Sequence, residues 1–250
     1  GVREHYRNVP RSARRILVHV ASFGELEQAK PVIAALRASE PNLHVHLTFF
    51  SPSGYENAHG RYDGADLITY LPLDRRDDVS AFLEQVRPDL ALFARYDVWP
   101  NMARELSQRG IPTLLFAATA RARSGALVPF ARALHAAVYQ QLTRILTISA
   151  SDKAGFLAHG VSQERVEQAG DTRFDQVALR QEAVLAAPPL LPNGLSSAIA
   201  ESRALVLVAG STWEKDEALL VPLLKEALER GDNLYAIIAP HEPTDDHVRR

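Results

Sequence analysis

"HVASFGELEQAKPVI", residues 19–33, decides the fold class. An apolar strand, "RILVHVA" at 15–21, runs into Ser22, Gly24 and Glu25 and passes at once into a segment that reads as a helix over 26–38. A strand that feeds directly into a helix is the repeating unit of a parallel sheet. Working outward, short apolar runs keep alternating with longer amphipathic ones. Strands are predicted at 44–50, 65–71, 89–95, 112–118, 144–150, 204–210 and 233–239, and helices at 78–86, 99–109, 126–141, 151–159 and 214–230. The class is α/β with parallel sheets.

The punctuation agrees. "SQRGIP" and "AHGV" set a glycine just past a helix, and Asn101 and Ser151 read as caps or first-turn residues. Near 182–200 the alternation breaks into "EAVLAAPPLLPNGLSSAIAE", whose prolines and Pro-Asn-Gly turn mark a boundary. We expect a first domain over 1–182, a linker over 183–203 and the start of a second domain over 204–250. One strand-helix-strand unit cannot bury both faces of its sheet, so the second domain reads as incomplete.

The 250 residues are 46% hydrophobic and 23% charged, within the globular range, and the formal net charge of −2 lacks the basic excess of a nucleic-acid binder. No cysteine is present, which excludes disulfides and thiolate chemistry and fits a reducing, cytoplasmic setting. No apolar stretch approaches bilayer-spanning length. The start, "GVREHYRNVPRSARR", reads as a solvated, partly frayed terminus, or as a basic surface facing phosphates or an anionic membrane.

Several strand ends carry polar groups. Ser22-Phe-Gly-Glu25 matches the S-x-x-E capping box, yet Glu25 also follows the C-terminal end of a strand, where open α/β sheets bind ligands. A carboxylate there can take a proton from an acceptor hydroxyl if partial desolvation restores the basicity that a helix N-terminus removes. In "ARYDVWPNM", 94–102, Asp97 and Asn101 can position a hydroxyl, or Asp97 is a helix cap and Trp99 belongs to the core. In "VAGSTWEKDE", 208–217, Gly210, Ser211 and Thr212 precede a helix and offer an anion seat or a simple cap. His241 in "IIAPHEP" and Arg173 in "AGDTRFDQV" join the set, Arg173 as the partner for a phosphate or carboxylate. The nine histidines show no metal-ligand spacing, no G-x-S-x-G elbow occurs, and the acidic pairs in "DRRDD" (74–78) and "PTDDH" (243–247) read as solvated charges, so no metal is expected.

Taken in order, "HVASFGELEQAKPVI", "LTFFSPSGYE", "YLPLD", "YDVWPN", "AGDTRFDQV" and "VAGSTWEKDE" resemble the 3-deoxy-D-manno-octulosonic acid (Kdo) transferases of lipopolysaccharide biosynthesis, especially their Bacteroidetes-like forms, over about 15–243. The resemblance implies a GT-B glycosyltransferase of two Rossmann-like domains. It implies inverting, metal-independent transfer of Kdo from CMP-Kdo to a lipid A precursor, with no further cofactor. It places the catalytic roles on Glu25, as general base, and Asp97. Donor contacts fall on Gly210, Ser211, Thr212, His241 and Arg173, and acceptor contacts on Ser22, Gly24, Asn101 and Arg123. It implies the cytoplasmic face of the inner membrane, peripheral or anchored through a segment that this chain lacks. Two departures stand out: Ala-Pro-His-Glu replaces the family's Pro-Arg-His-Pro, and Arg95 stands where many members carry a second acidic residue. The rival readings are a sugar-nucleotide epimerase of the same architecture and a non-catalytic nucleotide-sugar-binding protein in which Glu25 only caps a helix.

Overall fold

Near-continuous burial along the strands that begin at Arg15, His44 and Leu90 is what a parallel sheet covered on both faces requires. The computed structural model describes residues 1–10, 12–120, 128–187, 194–245 and 247. The chain separates into the units Gly1–Gln181 and Glu182–Arg250.

The first unit runs α1 (Val2–Asn8), β1 (Arg15–Val20), α2 (Phe23–Ser39), β2 (His44–Phe49), α3 (Pro52–Ala58), β3 (Leu67–Tyr70), α4 (Arg76–Val86) and β4 (Leu90–Ala94). It continues through α5 (Pro100–Gln108), β5 (Thr113–Ala118), α6 (Val128–Tyr139), β6 (Arg144–Thr147), α7 (Ala150–Ala158), the 3-10 turn Gln163–Arg165, β7 (Val166–Gln168) and α8 (Thr172–Ala186), whose last turns enter the second unit. The sheet order is β3-β2-β1-β4-β5-β6-β7, and every pairing is parallel. The order reverses between β1 and β4, and ligands of such sheets bind outside the carboxyl ends of the strands at that reversal.

Two cores cover the two faces. Leu17, Phe93 and Leu115 pack with Tyr6 of α1, Val79, Phe82 and Leu83 of α4, and Met102 and Leu106 of α5. Ile16, Val18 and Val20 pack with Leu26, Ala29 and Ile33 of α2. Period-2 alternation along β1 makes this division and sets His19 on the face of Leu17.

Four expectations need correction. The arginine-rich start is ordered: α1 packs on α4, Tyr6 is buried, and the Arg15 guanidinium lies 5.2 Å from the centre of its ring. β7, with Val166 its only buried residue, escapes a reading based on apolar runs. The expected linker contains α9 (Leu195–Ser202). Asp97 does not cap α5, whose cap position is Trp99 with Pro100 at the first turn. Asn101 and Ser151 do fall in first turns, and Gly110 and Gly160 follow their helices at φ of +68° and +80°.

The second unit holds β8 (Leu205–Thr212), α10 (Glu214–Glu229) and β9 (Leu234–Pro240) besides α9, with β8 and β9 paired in parallel.

Candidate active site

Glu25 and Asp97 lie just past the C-terminal ends of β1 and β4, on the two sides of the reversal in strand order. Ser22, with φ of −143°, is the cap of α2, and its Oγ accepts from the Glu25 backbone N–H at 3.4 Å. The return half of the capping box is not made to Ser22. Instead the Ala21 N–H donates to Glu25 Oε2 at 2.6 Å, one residue earlier in the chain. The carboxylate is thereby drawn under the strand end, and the residue is only 4% exposed. Burial pushes the Glu25 carboxyl above its ordinary range, the Ala21 N–H works against that rise, the Asp97 carboxylate adds to it, and Arg95 and His19 oppose it. Burial is the largest of these influences, and the net displacement is upward.

Gly24 is not demanded by the protein's own packing, since a Cβ there would meet only Ser22 Oγ, at 3.9 Å. Gly54 is different: a Cβ would come within 2.7 Å of the Phe49 ring and 3.1 Å of the Phe23 backbone nitrogen. "SPSGYE" thus packs α3 hard against the start of α2 and supports the turn that carries Glu25.

Across the reversal, Arg95 adopts φ of +61°, a left-handed conformation uncommon for a residue with a side chain, and its N–H donates to the Phe116 carbonyl. This kink ends β4 and sets up Asp97, whose side chain is 25% exposed and whose Oδ2 lies 3.2 Å from His19 Nε2. Sequence reasoning missed His19, because in a strand of continuous apolar burial it reads as one more core position.

Asn101, expected to hold the acceptor, gives its amide to Asp74: Nδ2 donates to the Asp74 carbonyl at 2.6 Å and the Asn101 N–H to Oδ2 at 3.0 Å. Asp74 Oδ1 also accepts from the Met102 N–H at 3.0 Å. Asp74 is therefore the missing cap of α5, supplied by "YLPLD" from outside the helix, and not a solvated charge.

Arg173 lies in the first unit, with Glu25, and is engaged by Asp171 through Nε at 2.8 Å and Nη2 at 2.6 Å. Gln28 Nε2 donates to the same carboxylate at 3.2 Å, tying the start of α8 to α2. Burial disfavours the charged Asp171, but the Arg173 and Gln28 hydrogen bonds prevail and hold its carboxyl below the usual range. Arg123 lies outside the described residues.

In the second unit, Ser211 and His241 are brought together. Ser211 takes φ of +60°, and its Oγ lies 2.7 Å from His241 Nδ1. The His241 N–H donates to the Thr212 carbonyl at 2.9 Å, and its ring lies 4.5 Å from that of Trp213. Thr212 Oγ1 donates to Glu217 Oε1 at 2.6 Å. Gly210, where an added Cβ would meet no atom within 4 Å, is left as the open part of the loop. Among the described residues no helix is long and apolar enough to cross a membrane, and no group of three or more His, Cys, Asp or Glu side chains is placed to hold a metal. A cavity of about 820 Å³ lined by Arg3, Arg7, Arg15 and Arg87 lies at the opposite, N-terminal edge of the sheet, away from Glu25.

The family model described as 3-deoxy-D-manno-octulosonic-acid transferase (kdotransferase) matches residues 1–176. Similar curated proteins include the 3-deoxy-D-manno-octulosonic acid transferases of Haemophilus influenzae, 24% identical over 91% of this chain and 52% of that protein, and of Chlamydophila psittaci, 23% identical over 83% and 47%. The chain spans about half the length of the curated relatives it matches. Among solved structures, the UDP-GlcNAc 2-epimerases of Neisseria meningitidis (TM-score 0.61, 13% identity, 94% of this chain and 67% of that one) and Methanocaldococcus jannaschii (0.59, 11%, 92% and 66%) share the GT-B-type, Rossmann-like fold, and at such identity the likeness is one of fold alone. The chain belongs to the 3-deoxy-D-manno-octulosonic-acid (Kdo) transferase family.

Proposed function

We propose that the protein is an inverting, metal-independent glycosyltransferase that moves Kdo from CMP-Kdo to a lipid A precursor, at the cytoplasmic face of the inner membrane, with Glu25 as general base. The observation that carries the reading is the Glu25 carboxylate: buried at the switch point of the sheet, held by the Ala21 N–H, with its basicity raised by desolvation. In the reaction the acceptor hydroxyl oxygen bonds to the anomeric carbon of Kdo as the bond from that carbon to the CMP phosphate oxygen breaks. Glu25 takes the hydroxyl proton, and CMP departs with the bonding electrons. Asp97 would orient the acceptor beside Glu25, and the open approach at Gly24 would admit it. Gly210, Ser211, Thr212 and His241 would receive the departing phosphate, where the α10 N-terminus favours negative charge. Arg95 and Arg173 offer cations to the Kdo carboxylate and the acceptor phosphates.

The test uses the protein's full natural chain, freshly generated CMP-Kdo and a lipid A precursor, with and without EDTA. The expected result is an acceptor heavier by Kdo and equimolar CMP, unaffected by EDTA. Folded protein that yields no Kdo-bearing product overturns the proposal, and a parallel incubation with UDP-GlcNAc checks the epimerase reading.

A further inference from the structure

His19 is 0% exposed, and its ring packs edge-on against Phe93, 5.7 Å between centroids. An imidazole in such a core position carries two polar nitrogens into a place where leucine or phenylalanine would fit at no hydrogen-bonding cost. Both nitrogens are engaged. Nδ1 lies 3.0 Å from Thr48 Oγ1 on β2, and Nε2 lies 3.2 Å from Asp97 Oδ2. Thr48 Oγ1 is also 3.3 Å from the Val18 carbonyl. The threonine hydroxyl has one proton, so it donates to Nδ1 when the imidazole carries a proton only on Nε2, and to Val18 when both ring nitrogens are protonated. In either state the Nε2–H donates to Asp97. The ring is clamped from β2 with its donor aimed at the switch point.

We propose that His19 is a positioning residue: its Nε2–H holds the Asp97 carboxylate in place and thereby sets the field that Asp97 exerts on Glu25. The inference rests on the reading of Glu25 as the base. It is supported by the opposed influences at Glu25, where Asp97 raises the carboxyl and Arg95 and His19 lower it. The groups facing His19 are Thr48 from β2, Phe93 from β4 and Asp97 beyond β4; Arg95, two residues before Asp97, acts on Glu25 in the same sense as His19. Without the imidazole, Asp97 acts on Glu25 with less opposition, and Glu25 holds its proton to higher pH.

The experiment compares His19→Leu, His19→Gln and Glu25→Gln in the full natural chain. It measures kcat, KM for CMP-Kdo and the pH profile of kcat/KM, and follows the Glu25 carboxyl by 13C NMR titration, which needs no turnover. For His19→Leu, kcat should fall roughly tenfold to a hundredfold with KM little changed, and the acid limb and the Glu25 titration should both move to higher pH. His19→Gln keeps an N–H donor toward Asp97 and should restore most of both. Unchanged kcat and titration in folded His19→Leu overturn the proposal, as does a glutamine variant as impaired as the leucine one, which marks a packing role. Full activity in Glu25→Gln removes the base reading instead, and the NMR titration then decides the His19–Asp97 coupling by itself. If His19→Leu does not fold, a cycle of His19→Phe, which keeps a ring but has no N–H for Asp97, with Asp97→Asn carries the test: coupling beyond about threefold in kcat upholds the proposal, and additive effects overturn it.

Discussion

Acid should loosen the first unit through His46, and the size of the effect follows from its surroundings. The ring is fully buried on β2, with Nδ1 3.1 Å from the Tyr6 hydroxyl and Nε2 2.8 Å from Thr69 Oγ1, and Phe82 of α4 packs against it. Burial, then the neighbouring His44 and His5, lower its pKa from 6.5 to about 3. A histidine lowered in the native state binds fewer protons there than when unfolded. Its contribution is fully present above the unfolded pKa and is lost as pH falls through 6.5 toward about 3. Between pH 7.5 and 5.0 the loss integrates to about 2 kcal/mol. His44, lowered mainly by burial, acts in the same sense. Glu25, raised, acts in the opposite sense, because protonation as pH falls relieves a carboxylate that folding has desolvated. The informative quantity is therefore a difference. Urea unfolding at the two pH values, read from Trp99 in a Trp213→Phe background, should show a pH-dependent loss about 2 kcal/mol smaller in His46→Asn than with His46 intact. Equal pH dependence in the two proteins would mean that the buried His46 does not carry the acid effect.

Other outcomes follow from the geometry. Gly54→Ala forces a methyl within 2.7 Å of the Phe49 ring and should destabilise the first unit by roughly 1–3 kcal/mol, visible as a lower urea midpoint. Asp74→Ala removes the acceptor for the Asn101 and Met102 N–H groups and should cost about 1–2 kcal/mol in the same assay. Gly24→Ala meets only Ser22 Oγ at 3.9 Å, so thermal unfolding should be close to wild type while acceptor KM rises.

The core strands were legible because burial on both faces leaves no room for polar alternation: β1, β2, β4 and β5 each lie within a residue of where apolar runs place them. β7 and α1 were not, since one buried side chain each, Val166 and Tyr6, leaves no periodic signal. Ser22, Glu25 and Asp97 could be singled out because each follows a strand directly. Contacts made across the fold could not. Asp74 caps a helix that begins 26 residues later, and Asp171 engages Arg173 while reaching Gln28 across 143 positions. His19 hid because its value lies in two hydrogen bonds that only the β1–β2 register and the turn after β4 bring together.

The role of Glu25 as the base is decided by one measurement, Kdo transfer from CMP-Kdo by the full natural chain beside its Glu25→Gln variant. Glutamine keeps an oxygen for the Ala21 N–H but cannot take the acceptor proton. A fall in kcat of about 10²–10⁴, with an unfolding midpoint equal to or above wild type, is the expected result. A glutamine variant that transfers Kdo within a few-fold of wild type would contradict a base at this position and leave Glu25 as a buried anchor for the α2 turn.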